Sequence, residues 1–166
     1  MSNRIPRLKR AFDVALGLLM ALSLLPVLSV MAVCLLVTEG RPVFYVSRRR
    51  ADKGPAQEII KFRTMRRGAD RIANRDTLPV NGTRFLNLPQ DSPLYTPIGR
   101  FIERAMLTEM PQLLHVLQGR LSLIGNRPLP DNVVLSLSQA FPETERRFLV
   151  RGGLTGPVQL VGRDKL

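Results

Sequence analysis

The sequence is poor in the residues that most often build compact catalytic centres. It holds one cysteine, Cys34, one histidine, His115, and no tryptophan among 166 residues. A single cysteine excludes an internal disulfide, and with one histidine there is no cysteine and histidine cluster for zinc, no c-type haem attachment and no basis for a Ser-His-Asp triad. Acidic residues are also scarce: 13 face 25 lysines and arginines, a net charge of +12. Aromatic residues make up only 5% of the chain, and no basic-aromatic interleaving occurs, which argues against a nucleic-acid-binding module. Any chemistry must therefore rest on carboxylates, arginines and hard cations, and a standing positive charge of this size seeks phosphate.

What is present is unevenly placed. Val14 to Val37 is a run of 24 residues without a charge, its only polar side chains being Ser23 and Ser29. A straight helix of that length reaches about 36 Å, slightly more than the hydrocarbon core of a bilayer. Pro26 lies near its middle, where it removes a backbone donor and clashes with the Leu22 carbonyl, so a break or strong kink is expected there, with Ser23 placed to bond the freed backbone groups. Basic clusters flank both ends: Arg4, Arg7, Lys9 and Arg10 before, and Arg41, Arg48, Arg49, Arg50 and Lys53 after. A spanning helix would put one of them on the wrong face, whereas a segment that enters and leaves by the cytoplasmic face keeps both inside. The run is too long for a signal-peptide core and ends without a small-residue cleavage site. A simple span and a buried soluble helix pair are the alternatives.

The reading of the remainder is an α+β domain. Val43 to Ser47 and Gln57 to Arg63 are β-rich runs around a turn at Asp52, Lys53, Gly54 and Pro55, which predicts a hairpin with basic arms. From Gly68 to Pro93 periodicity is lost, and a long surface loop with a short helix at its start is expected. Helices are predicted at Pro97 to Met106, Glu109 to Gln118, Asp131 to Gln139 and Pro142 to Val150, with a short apolar run at Leu121 to Ile124 and a turn-rich tail from Gly152. The domain organisation follows: a re-entrant, Pro-broken membrane helix over residues 1–40, then a small, mainly helical cytoplasmic domain with a β-hairpin over residues 41–166.

Several residues invite a chemical reading beside a plainer one. Lys61, Arg63, Arg66 and Arg67 place a point charge and planar forks at a strand end, a set suited to diphosphate or lipid phosphate, although such a run is also an ordinary solvated face. Glu109 after Thr108 reads equally as a first-turn acid behind a threonine cap. Arg127, in Gly-Asn-Arg-Pro, reads equally as a surface turn, and His115 as a packing or hydrogen-bonding residue.

In order, these segments resemble the bacterial sugar transferase family, the monotopic polyprenyl-phosphate phosphoglycosyl transferases. The matching stretches are Lys9-Arg10-Ala-Phe-Asp13 before the Pro-containing apolar run, Arg41-Pro42-Val43-Phe44-Tyr45, Lys61-Phe62-Arg63-Thr64-Met65, Gly99-Arg100-Phe101, Leu107-Thr108-Glu109-Met110-Pro111, Leu121-Ser122-Leu123-Ile124-Gly125-Asn126-Arg127-Pro128, and Gly153-Leu154-Thr155-Gly156-Pro157. They cover nearly the whole chain.

The resemblance implies transfer of a sugar-1-phosphate from a nucleoside diphosphate sugar, a UDP-sugar by preference, to polyprenyl phosphate at the cytoplasmic face of the bacterial inner membrane, initiating exopolysaccharide, capsule or O-antigen type glycans. In the family an aspartate attacks the phosphate, and the adjacent glutamate, here Glu109, holds magnesium. Lys61, Arg63, Arg104 and Arg127 are the implied phosphate-binding residues, and a second copy or other glycan-assembly proteins are implied partners. One position departs. Where the family has Leu-Asp-Glu this chain has Leu107-Thr108-Glu109, so the nucleophile position carries a hydroxyl, and a hydroxyl needs a neighbouring base to attack. The chain is also expected to be C-terminally short relative to the family. The competing expectation is a catalytically inactive membrane-associated member that binds nucleotide sugar or lipid phosphate and acts as a partner or regulator.

Overall fold

A computed structural model of the chain describes residues 6–72 and 91–156. Its first element, α1 (Arg7–Glu39), is a single helix of 33 residues with Pro26 inside it, about 50 Å long at the helical rise. The helix is continuous through Pro26, so the break expected there is absent, whereas a kink, the other form of that expectation, is compatible with a continuous helix. Proline forfeits one i to i−4 bond, but the turns on both sides are held by packing: Leu16, Met20, Ala21 and Leu24 lie against one core cluster and Leu28, Met31 and Ala32 against another, beside buried Leu35. Tertiary contact thus offsets the local loss. Ser23, expected to bond freed backbone groups, makes no such hydrogen bond among the described residues, whereas the Thr38 hydroxyl donates to the Cys34 carbonyl at 2.8 Å.

The packing residues recur at three and four positions and form one stripe. The opposite face stays open: Leu19 is 61% exposed, Val30 55% and Val33 58%. The helix is long and apolar enough to cross a membrane, and a contiguous apolar face of this length is not what a water-facing surface carries.

A hairpin follows, β1 (Phe44–Arg49) antiparallel to β2 (Gln57–Phe62), in the register Phe44 to Phe62 and Arg49 to Gln57. The predicted hairpin is present: β1 starts one residue later and runs two residues further than expected, and β2 ends one residue earlier. A short helix α2 (Ala69–Ile72) begins the expected loop, most of which lies outside the described residues. Next comes α3 (Pro97–Arg104), started by Pro97 and capped by the Thr96 hydroxyl, which accepts from the Gly99 N–H at 3.0 Å. Gly99 is required here, because a Cβ would fall 1.9 Å from the Thr64 carbonyl oxygen. The helix predicted from Glu109 to Gln118 is shorter and split, a 3-10 turn over Met110–Gln112 leading into α4 (Leu113–Leu117). After β3 (Ser122–Ile124) the chain forms α5 (Asp131–Ala140), a 3-10 stretch over Pro142–Leu149 where an α-helix was expected, and β4 (Gly153–Thr155), which pairs parallel with β3. The tail beyond Gly156, with Pro157, lies outside the described residues.

Two buried clusters hold these parts together. Ile59, Leu113, Val116, Leu121, Leu123 and Leu154 form one, and Leu35, Phe62 and Ile102 the other. Both need α1 to close them, so the apolar helix is part of the domain's core as well as its outer face.

Polar contacts fix each end of α1 to the same domain. Near its start, Arg10 donates to the Val116 and Leu117 carbonyls at 2.6 Å each, satisfying the end of α4. Asp13, fully buried, accepts from the Ser122 hydroxyl at 2.8 Å and the Leu123 N–H at 3.2 Å, and pairs with Lys9 at 3.2 Å; Lys9 also donates to Ser122. At its far end Arg63 donates to the Glu39 and Gly40 carbonyls at 3.0 and 2.9 Å.

Candidate functional site

The Thr108-Glu109 turn is built by its neighbours. After α3 the chain reverses through Met106, whose φ of 57° lies in the left-handed region. The Leu107 N–H then donates to the Ile102 carbonyl at 3.0 Å, and the Phe62 N–H at the end of β2 donates to the Thr108 carbonyl at 2.9 Å. The turn is therefore bolted to the strand that leads into Arg63. Thr108 is 5% exposed, and its hydroxyl has no hydrogen-bond partner among the described residues. It does not cap a helix: Glu109 occupies the cap position of the 3-10 turn, with no side-chain cap. The plainer reading of the pair is thus not realised, and among the described residues no side chain hydrogen-bonds the hydroxyl as a base.

Glu109 faces Arg127. The Arg127 Nη1 donates to Oε2 at 3.0 Å and Nη2 donates to Oε1, a two-pronged pair across 18 residues of sequence. Arg127 leaves the end of β3, where the backbones of Gly125 and Gly153 nearly touch; a Cβ on Gly125 would lie 2.3 Å from the Arg151 carbonyl oxygen. The Asn126 amide donates to the Arg147 carbonyl at 2.8 Å, and Arg147 Nη2 returns a bond to the Arg127 carbonyl at 3.0 Å. Arg127 is accordingly a held residue and not a loose surface turn.

The other basic residues divide. Lys61 lies on β2 with its ammonium 5.3 Å from the Tyr45 ring centre. Arg63 is buried and spent partly on the end of α1, while its Nε and Nη1 have no partner among the described residues. Arg104 is exposed in the last turn of α3. The structure therefore brings Thr108, Glu109 and Arg127 together, and directs Arg63 to the membrane helix.

A magnesium ion is commonly held by one or two carboxylates together with substrate phosphate oxygens. Among the described residues no group of three or more histidine, cysteine, aspartate and glutamate side chains is assembled. Glu109, with its side chain 28% exposed, is a hard-oxygen donor of the required kind, so the residues fit such an ion shared with a phosphate, provided that Arg127 releases an oxygen. A cleft of about 400 Å³ between the hairpin turn and α5, lined by Arg48, Arg50, Gly54, Pro55, Ala56 and Asp131, includes none of these residues.

His115 is structural, as expected. It is buried, its Nε2 accepts from the Ile60 N–H at 3.1 Å, and Nδ1 lies 3.3 Å from the Gln118 amide oxygen and 3.2 Å from Arg120. Because Nε2 accepts, the neutral ring carries its proton on Nδ1. Burial pushes its pKa below the ordinary value; the Gln118 bond raises it and the Arg120 charge lowers it further. A base whose folded pKa is depressed leaves the unfolded chain holding the extra proton, so stability is lost as the pH falls from about 6.5 through the folded value. In His115→Gln that acid slope should be absent, which melting temperatures between pH 5 and pH 7.5 would check; an unchanged slope would assign it elsewhere.

Sequence reasoning gave no role to Asp13 and Lys9 within their motif, nor to Arg147. The available signal was an acid four residues after a lysine at the head of an apolar helix, a charge that only a built partner set makes tolerable.

The family model for bacterial sugar transferases matches residues 4–166. Exopolysaccharide production protein ExoY of Sinorhizobium fredii is 31% identical over 160 residues, covering 94% of this chain and 70% of that protein. The uncharacterized sugar transferase EpsL of Bacillus subtilis is 35% identical over 162 residues, covering 96% of this chain and 71% of its own length. UDP-glucose:undecaprenyl-phosphate glucose-1-phosphate transferase of Escherichia coli is 31% identical over 160 residues, 96% of this chain but 32% of that larger protein. Matched over its membrane helix, its Thr108-Glu109 turn and its Arg127 loop alike, the chain belongs to the bacterial sugar transferase family.

Proposed function

We propose that this chain is a sugar-1-phosphate transferase scaffold of the bacterial inner membrane that binds a nucleoside diphosphate sugar and polyprenyl phosphate at the cytoplasmic face, and that its covalent step is limited by Thr108. The observation that carries this reading is the pairing of an intact Glu109 and Arg127 with a buried, unpartnered hydroxyl where a carboxylate nucleophile belongs. Relatives described as undecaprenyl-phosphate glucose and galactose phosphotransferases support the reaction class.

On this reading Arg127 turns from Glu109 to the diphosphate, for which its planar fork is suited. Glu109 would then hold a magnesium ion, which when bound neutralises charge on the phosphate oxygens. Lys61 and Arg104 add positive charge on neighbouring elements. Thr108 is shielded from water, and among the described residues no base hydrogen-bonds its hydroxyl, so attack on phosphorus is slow. Glu109→Ala should abolish magnesium-dependent binding of UDP-glucose, measured by equilibrium dialysis with and without the metal; retention of that dependence would remove Glu109 from the site.

Attachment of both ends of α1 to one domain supports entry and exit on one membrane face, because a helix crossing the bilayer would carry its ends to opposite sides. Labels at residues 7 and 41 should therefore be accessible from the same face in oriented vesicles. Accessibility from opposite faces would establish a span.

The same Thr108 favours a second reading: a catalytically silent member that keeps donor or lipid-phosphate binding and serves as partner to an active relative. Absence of nucleoside monophosphate release alongside preserved UDP-glucose binding distinguishes it.

A further inference from the structure

Arg127 is gripped from behind by a residue outside the pair it forms with Glu109. Arg147 lies on the 3-10 stretch over Pro142–Leu149. Its Nη2 donates to the Arg127 carbonyl at 3.0 Å, while its own carbonyl accepts from the Asn126 side-chain amide at 2.8 Å. The two bonds close a reciprocal clamp around residues 126 and 127. On the other side the Gly153 N–H donates to the Asn126 carbonyl at 2.9 Å, and further along Arg50 and Leu129 exchange backbone bonds at 2.7 and 3.2 Å. Of these contacts, the one from Arg147 reaches Arg127 itself.

The clamp has its own foundation. The Arg50 guanidinium forks onto Glu145 of the same stretch at 3.0 and 2.8 Å. It also sits 4.3 Å from the ring centre of buried Phe148, with the Arg147 guanidinium 5.8 Å from that ring. The stretch is therefore fixed to the end of the hairpin, and the bond from Arg147 carries that fixity to the loop.

Stability alone does not account for an arginine at this place. Arg147 is half-buried, and its Nε is buried without a partner among the described residues; burial pushes its pKa below the ordinary arginine value. The acids of its own stretch are engaged elsewhere, Glu143 with Arg146 at 3.0 Å and Glu145 with Arg50 at 2.8 Å. An apolar side chain of similar volume replaces a desolvated charge at little cost to stability, but it cannot hold a carbonyl.

We infer that Arg147 is a positioning residue for Arg127, holding its backbone so that the guanidinium fork meets Glu109 in the free protein and the donor diphosphate on binding. The inference deepens the proposed function and rests on it for the identity of the ligand, with Arg147 acting through Arg127. A loop set in advance raises affinity because less ordering remains to be done on binding.

The test uses the full chain in nanodiscs with magnesium, reading UDP-glucose affinity, melting temperature and deuterium uptake on the same samples. Arg147→Met should lower the affinity about tenfold, as misplaced positioning groups do, while the melting temperature falls by no more than about 3 °C. Arg147→Lys, which restores a donor for the carbonyl, should recover part of the affinity. In the Arg127→Gln background Arg147→Met should change the affinity by less than about twofold, because residues that act together lose their effects together. Uptake at residues 125–129 should rise in Arg147→Met and stay unaltered at residues 57–62. Unchanged affinity in Arg147→Met overturns the inference, as does an equal loss in both backgrounds. A loss of affinity without a rise in uptake would make Arg147 a direct donor contact and overturn it as well. Failure of UDP-glucose to bind the native chain would remove the donor reading; a rise in uptake confined to residues 125–129 would then leave the clamp standing, and unaltered uptake would remove it.

Discussion

Thr108→Asp should raise release of nucleoside monophosphate from a UDP-sugar by several orders of magnitude over the native chain, in membranes supplied with magnesium and undecaprenyl phosphate. The scale follows from nucleophile deletions in hydrolases, where loss of the attacking group costs on the order of a millionfold in turnover. A carboxylate with an ordinary pKa near 3.9 is ionised at neutral pH and attacks without a base, whereas the Thr108 hydroxyl must lose a proton and, among the described residues, hydrogen-bonds nothing that takes one. Position 108 is 5% exposed, so the new charge costs desolvation and repels Glu109. Arg127, already forked onto Glu109, is the compensating cation. The gain should therefore vanish in Thr108→Asp, Arg127→Gln. Equal release by the native chain and by Thr108→Asp would mean that transfer proceeds without a nucleophile at this position.

The second large effect is on the seating of the membrane helix. Asp13→Ala removes an acceptor that serves Ser122, Leu123 and Lys9 together. Breaking a buried pair from one side costs about 3 to 5 kcal/mol; with Lys9 itself 41% exposed, and therefore able to recover water, the lower part of that range applies. Arg127 lies beyond the end of the strand that Asp13 holds, so donor affinity should fall with stability. Asp13→Asn, which keeps one acceptor oxygen, should recover part of both. Urea titration in detergent, with UDP-glucose affinity on the same samples, measures the two together, and an unaltered midpoint in Asp13→Ala would show that the apolar stripe alone seats the helix.

Local chemistry made some of this legible from sequence. The hydropathy of residues 14–37 announced a long helix, β-branched and aromatic runs around Lys53-Gly54-Pro55 announced the hairpin, and Pro97 marked the start of α3. Pro26 does not end the helix because its cost is local while its compensation is tertiary: Leu24 and Leu28 pack on different clusters of the same domain. The 3-10 stretch over Pro142–Leu149 carries a helical pattern of charges, which does not discriminate between the two helix types. In the candidate site, the Leu107-Thr108-Glu109 stretch was readable as a motif. The pairing of Glu109 with Arg127 was not, since it depends on the parallel contact of β3 with β4 and on two glycines whose backbones meet. Arg63, read from the sequence as a phosphate ligand, also ties down the end of α1 through one guanidinium nitrogen, a contact that only the fold reveals.

The central claim, that the donor site is intact while the attacking group is missing, is tested most directly by intact-mass measurement of the full chain after incubation with UDP-glucose and magnesium in the absence of lipid acceptor. The account predicts no change in mass for the native chain and addition of one sugar phosphate to Thr108→Asp. A sugar phosphate found on the native chain would contradict it, and fragmentation of that adduct would identify the residue that attacks.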